Sequence, residues 1–240
     1  MNIYFITGTS KGIGYELAVS LLKNPQNLVF GLSRSNTITD KNFTHIKIDL
    51  SDINKVNDFN FDIIDKPEKI LLINNAGIIG DIKQTGKVSE NSIAETYNVN
   101  TIAPSILINK FISNFQNEEF EKIILNISSG AGRHTIPSWA TYCASKSALD
   151  MYSNVVFDEQ KRIKKHKAVK IYSIAPGIVD TPMQDIIRGA KIEDFEFVNQ
   201  FKEYKQKKML TPPAEVAERL INFLNNSKKY KNVIYDLREL

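Results

Sequence analysis

Cysteine occurs once in this chain of 240 residues, at Cys143. An intramolecular disulfide is therefore excluded, and so is a thiolate metal cluster. Histidine is nearly as scarce: His45, His134 and His166 are scattered and have no evident acid partner. No metal site is expected from such a set. Ser129 lies outside any G-x-S-x-G elbow, which argues against a serine hydrolase. No apolar run approaches the roughly 20 residues that span a bilayer. Linkers, internal repeats and low-complexity tracts are also missing. The first apolar run starts at residue 2, which leaves no room for a secretory leader, so a cytoplasmic location is the expectation. The net charge is +4, and its densest basic run is Lys161 to Lys167. No aromatic residues interleave with that run. It reads as the solvated C-terminal end of a helix, where cations suit the macrodipole, and the stretch Lys202 to Lys208 reads the same way. Neither a nucleic-acid nor a membrane partner is expected.

What the chain does contain is an alternation of short β-rich runs and helical patterns. Strands are predicted near 2–7, 27–32, 45–48, 69–74, 121–128, 168–174 and 232–235, and helices near 12–23, 89–115, 141–165 and 213–226. This is the pattern of an α/β single-domain Rossmann fold over 1–240: a doubly wound, seven-stranded parallel sheet flanked by helices. The segment from about 183 to 208 carries Met183, Ile186, Phe195, Phe197 and Phe201, and reads as a lid over a substrate.

The first strand ends at Ile6 and Thr7 and runs into Gly8-Thr9-Ser10-Lys11-Gly12-Ile13-Gly14, followed by a helical pattern. A strand, a glycine turn and a helix start in that order can bring backbone N–H groups and the helix N-terminus onto a pyrophosphate. Ile6, Gly8, Ser10, Lys11, Gly12, Ile13 and Gly14 are the candidate contacts. The plain alternative is a tight turn with no ligand. The second strand ends at Ser33-Arg34, about 20 residues on, where an acid would hold the ribose 2′-hydroxyl of NAD. A hydroxyl and a guanidinium stand there instead, and Arg34 can fork onto a 2′-phosphate, with Lys11 adding charge nearby. NADPH is favoured over NADH on that ground. An ordinary surface arginine is the alternative.

Tyr142 and Lys146 sit four residues apart and fall on one helix face. An ammonium about 5 Å from a phenolate, at an effective dielectric of about 20, favours the anion by roughly 3 kcal/mol, or about two pKa units. The phenol is therefore expected to be acidified. Cys143 diverges from Tyr142 by a helical step and reads as packing.

Further segments follow in order: Asn74-Asn75-Ala76-Gly77 after a strand, Asn98-Val99-Asn100 in a helical stretch, Ile127-Ser128-Ser129-Gly130 at a strand end, and Pro176-Gly177-Ile178-Val179-Asp180-Thr181 after another strand. Ser129 precedes Tyr142 by thirteen residues. With the glycine loop and the YxxxK pair, this series resembles the short-chain dehydrogenase/reductase family over nearly the whole chain. The segments Ser138 to Cys143, Ala148 to Met151, Asp180 to Gln184 and Tyr235 to Leu237 resemble its bacterial benzil reductase branch, which is similar to sepiapterin reductases.

The resemblance implies roles. Tyr142 would give a proton to a carbonyl oxygen, Lys146 would assist it and hold ribose hydroxyls, Ser129 would bind the oxygen, and Asn100 would orient a water in a proton relay. Asp49 and Leu50 would meet the adenine, Asn74, Asn75, Ala76 and Gly77 the adenosine side, and Pro176, Gly177, Val179 and Thr181 the nicotinamide and phosphates. Asn75, Ser129 and Asp49 could equally be turn or cap residues. Gly130, Trp139 and Met183 would line the substrate pocket, with Arg133 and His134 as the nearest cations to its mouth. The implied function is an NADPH-dependent carbonyl reductase acting on a neutral small-molecule carbonyl compound, such as the diketone benzil, in a homodimer or homotetramer. The alternatives are a sepiapterin-type pterin reductase and a non-catalytic NADP(H)-binding regulator. Where sepiapterin reductases carry a pterin-gripping acid near the C-terminus, this chain aligns Val233, which speaks against the pterin.

Overall fold

The computed structural model describes residues 1–63 and 66–240. Seven strands, β1 (Asn2–Thr7), β2 (Asn27–Ser33), β3 (Phe43–Lys47), β4 (Lys69–Asn74), β5 (Glu121–Ile127), β6 (Lys170–Ala175) and β7 (Ile234–Asp236), form one sheet. Their order is β3-β2-β1-β4-β5-β6-β7 and every pairing is parallel. The expected doubly wound fold is therefore present. The order reverses between β1 and β4, and a crevice opens there at the strands' C-terminal ends.

Helices cover both faces, so the inner strands must be apolar on both sides. β4 illustrates this. Leu71 and Ile73 pack beneath α1 (Gly12–Leu22) and α8 (Pro213–Asn225). Ile70 and Leu72 face α2 (Ile53–Asp58), α4 (Ala103–Phe115) and α5 (Ala140–Gln160). On that second face Phe5, Phe59, Phe61, Phe111 and Phe115 meet edge to face, a geometry that adds to their area burial.

Three departures from the sequence reading matter. The helix expected over 89–115 is divided: α3 (Glu90–Tyr97) passes through a wide π turn, Asn98–Ile102, into α4. Pro104 has no N–H to give to the carbonyl four residues back, so the regular ladder fails at this point. Secondly, α5 stops at Gln160, which leaves Lys161 to Lys167 outside the helix. Like charges at helical spacing oppose its continuation. Gln160 also accepts from the Val169 N–H at 2.8 Å, turning the chain back toward β6. Thirdly, the expected lid is two short helices, α6 (Pro182–Arg188) and α7 (Val198–Gln206). α6 has Pro at its start and Gly189 at its end.

Phe111 is fully buried among the phenylalanines. Phe111→Ala should cost about 3–5 kcal/mol, read as a lower urea midpoint at unchanged slope. A change below about 1 kcal/mol would show that the cluster is not part of the cooperative core.

Candidate active site

A cleft of about 590 Å³ lies over the C-terminal ends of the strands. Its floor is set by β1 and β4. Thr7 Oγ1 accepts from the N–H groups of Asn75 and Ala76, each at 3.0 Å, and Asn75 Nδ2 donates to the carbonyls of Thr7 at 2.9 Å and Gly8 at 3.2 Å. Gly8 and Gly12 have φ of +75° and +62°, conformations open to glycine at no steric cost. The turn delivers the N-terminus of α1 to the cleft. Lys11 at its N-cap makes no side-chain capping bond, and no acid sits in the first turn. The first N–H groups of α1 therefore meet no capping side chain, a fit for an anionic pyrophosphate.

Most of the candidate cofactor residues line this cleft: Gly8, Ser10, Lys11, Gly12, Ile13, Ser33, Arg34, Asp49, Leu50, Asn75, Ala76, Gly77, Pro176, Gly177, Val179 and Thr181. Four candidates do not. Ile6 is fully buried in the core beneath α1. Asn74 points along the sheet and donates to Asn126 Oδ1 at 2.8 Å. Gly14 is a packing glycine: a Cβ there would stand 2.3 Å from the Gly8 carbonyl oxygen and from Asn75 Nδ2. Asn100 lies behind the floor, 1% exposed. Ser33 reaches the cleft, yet its hydroxyl donates to the Ser35 carbonyl at 2.8 Å and sits 3.3 Å from Thr9 Oγ1. Arg34 is exposed and forms no ion pair among the described residues. Burial raises Asp49, but bonds from Ser51 and the charges of Arg34 and Lys55 bring its carboxyl below the usual range.

Ser129, Tyr142 and Lys146 all line the same cleft. Lys146 Nζ donates to the Ile127 carbonyl at 2.9 Å and lies 6.0 Å from the centroid of the Tyr142 ring. Ser129 Oγ accepts from the Ala131 N–H at 3.2 Å, which leaves its own proton free to donate. Asn100 accepts from the Ile78 N–H at 2.9 Å and donates to the Ile78 carbonyl at 2.8 Å and to Ser145 Oγ at 3.0 Å. Those protein bonds tie the loop after β4 to α5.

The expected acidification of Tyr142 is overturned. Burial pushes the phenol above its ordinary value, and the nearby Ser129 hydroxyl only partly opposes it. The charge that was to acidify it is itself weakened, because burial brings Lys146 down to about 8 against the pull of Asp150. The sequence estimate assumed an ammonium that keeps its charge, whereas desolvation penalises both charged forms.

The segment carrying α6 and α7 forms the other wall. Met183, Gln184, Ile187, Phe197, Phe201 and Tyr204 line it, facing Gly130, His134 and Trp139. Trp139 stacks on Phe195 at 5.4 Å and meets Phe201 at 5.5 Å. Ile186 points outward instead, 58% exposed. Arg133 is held away from a ligand by Asp150 at 3.1 Å and the Tyr235 carbonyl at 3.2 Å. Val233 is buried in the fold. Asp236 and Arg238, to which the sequence assigned no role in the site, line the cleft from the C-terminal tail. Among the described residues no helix is long and apolar enough to cross a membrane, and no cluster of acidic, histidine or cysteine side chains could hold a metal.

The family model described as short chain dehydrogenase matches residues 2–191. Benzil reductase ((S)-benzoin forming) of Bacillus subtilis is 32% identical, covering 100% of this chain and 99% of that protein. Sepiapterin reductase of Meriones unguiculatus is 32% identical over 66% of this chain and 60% of its own length. Among solved structures, 4-hydroxyisoleucine dehydrogenase complexed with NADH superposes with a TM-score of 0.79 at 21% identity, over 98% of this chain and 96% of that one.

Gly14→Ala tests the packing role. Its Cβ would collide with backbone at the turn, so the variant should lose about 1–3 kcal/mol of stability and bind cofactor more weakly. A thermal midpoint equal to that of the parent chain would refute the close approach.

Proposed function

Because the chain belongs to the short-chain dehydrogenase family, we propose that it is a carbonyl reductase that uses NADPH and acts on a neutral ketone or diketone, with benzil as the first substrate to try. The observation that carries the reading is the buried Tyr142–Lys146 pair beside Ser129, under an apolar wall. The 32% identity to a benzil reductase across the whole chain supports the same reaction class.

When bound, the reduced nicotinamide would supply hydride to the carbonyl carbon. The chain's own residues manage the oxygen. Ser129 donates a hydrogen bond to it, and the Tyr142 phenol, kept protonated by burial, gives up its proton as negative charge develops there. Burial keeps the proton on the phenol when the reaction begins, and the Lys146 ammonium beside it would ease its departure as charge develops. Lys146 has one of its protons on the Ile127 carbonyl, which leaves two for the phenol and the ribose hydroxyls. Asn100 holds the floor under this pair, so its proposed part in a proton relay rests on the carbonyl and amide it fixes.

Preference for NADPH is assigned to Arg34, with Lys11 close by and Ser33 turned inward. A pterin is disfavoured. Val233 is buried, and the one tail acid in the cleft, Asp236, is held by Arg238 Nε at 2.9 Å and Nη2 at 2.6 Å. A regulator without turnover would have no need of the complete set Asn100, Ser129, Tyr142 and Lys146.

Tyr142→Phe should lower kcat for benzil reduction by about 10²–10⁴-fold while NADPH still binds, followed by cofactor fluorescence. A near-normal rate would remove the phenol from the mechanism. NADPH binding by the parent chain with no turnover on any diketone would favour the regulator. Arg34→Ala should raise the KM for NADPH by about 10-fold or more, as expected for a lost charge-assisted bond, and leave that for NADH nearly unchanged. Equal effects on both would mean that Arg34 does not read the 2′-phosphate.

A further inference from the structure

Asp150 lies one helical turn beyond Lys146 on α5 and is 7% exposed. A carboxylate so enclosed needs partners. Its Oδ1 accepts from Ser173 Oγ of β6 at 2.6 Å, and its Oδ2 from Arg133 Nε, in the turn after β5, at 3.1 Å. Neither oxygen is bonded to Lys146. Arg133 in turn donates to the Tyr235 carbonyl of β7, and Asp236 acts on it from the same strand. Lys146 is faced by Tyr142 and Asp150 from its own helix and by the Ile127 carbonyl from β5, with the neutral Asn100 close to it across Gly77. Asp150 is therefore the one anion set against this buried ammonium among the described residues.

We propose that Asp150 is a positioning residue for the reduction: a carboxylate fixed by Ser173 and Arg133 that keeps the buried Lys146 in its charged form beside Tyr142. Arg133 sets the strength of this effect, because its guanidinium partly cancels the carboxylate's field. Without Asp150 the desolvated lysine would release its proton at lower pH, and the phenol would lose its cationic neighbour.

The test is the titration of Lys146, followed by NMR on protein labelled at lysine Cε and assigned with Lys146→Met. It needs no turnover, and only the parallel pH–rate profile rests on the reductase reading. In Asp150→Asn the midpoint should fall by about one pH unit, and the high-pH limb of kcat should move down with it. Asp150→Glu should restore both. Arg133→Met should move the midpoint up and Arg133→Lys should leave it in place. A purely structural role predicts another pattern: loosened packing admits water, and every variant then drifts upward toward the ordinary lysine value. An unmoved or raised midpoint in folded Asp150→Asn overturns the proposal. If that variant does not fold, the arginine pair decides, since equal behaviour of Arg133→Met and Arg133→Lys overturns it and opposite behaviour sustains it. Absence of turnover in the parent chain with a normal Asp150-dependent titration would sink the reductase reading alone.

Discussion

The placement of α5 against the sheet is the constraint on which the site depends, and it is held by buried polar side chains as well as apolar packing. Asn126 in β5 accepts from Asn74 in β4 and donates to Ser153 in α5, each at 2.8 Å. Ser173 in β6 bonds to Asp150, while Asn100 and Thr101 in the π turn bond to the side chain and backbone of Ser145. Apolar contacts tolerate sliding by a fraction of a turn. Directed hydrogen bonds in a dry interface do not, because a slipped helix would leave several buried polar groups unsatisfied at once. The register of α5 fixes where Tyr142 and Lys146 stand relative to Ser129 and the glycine turn.

The same burial that fixes the geometry decides the electrostatics. A phenol and an ammonium on an exposed helix face would favour each other's ionised forms. Here both are enclosed, and the loss of water favours the neutral form of each, raising Tyr142 and lowering Lys146 to about 8. The lysine's charge then depends on what surrounds it, and Asp150 pulls toward the charged form. A nearby fixed carboxylate matters far more to such a lysine than to one in solvent, since the effective dielectric between them is low.

Much of this was legible in the sequence, and the parts that were not share a cause. The glycine turn, the YxxxK pair and the strand-end Ser129 could be read because each chemistry sits on one element, where spacing determines which residues share a face. The seven strands and their parallel arrangement were legible for the same reason. Ile6, Gly14 and Asn74 belong to the motifs yet do not line the cleft, because belonging to a motif does not say which way a side chain faces. Gly14 serves the close contact between strand and helix, and Asn74 the tie to Asn126. The π turn escaped notice because helical periodicity barely registers one extra residue per turn. Asp236 and Arg238 reach the cleft through pairing of β7 with β6, a contact between segments some sixty residues apart that no local pattern encodes. α6 and α7 are too short for periodicity to establish, although Pro182 and Gly189 mark the ends of the first.

The wall of the cleft and the packing of α6 and α7 share their atoms. Trp139 meets Tyr142 edge to face at 5.7 Å, stacks on Phe195 and touches Phe201. Trp139 and Phe201 line the cleft, and Phe195 is buried behind them. Two polar bonds pin the segment that carries α6 and α7 further: Ser138 Oγ donates to the Asp194 carbonyl at 2.6 Å, and Lys205 pairs with Asp180 at 2.5 Å. Ser138 holds a φ of +70°, an uncommon conformation for a residue with a side chain, at the step just before α5 begins. A substitution at Trp139 would therefore alter the shape of the cleft, the seating of α7 and the start of the helix that carries Tyr142 together. The shape of the cleft is more readily varied at Met183 or Phe197, which contribute to its wall and are only partly enclosed.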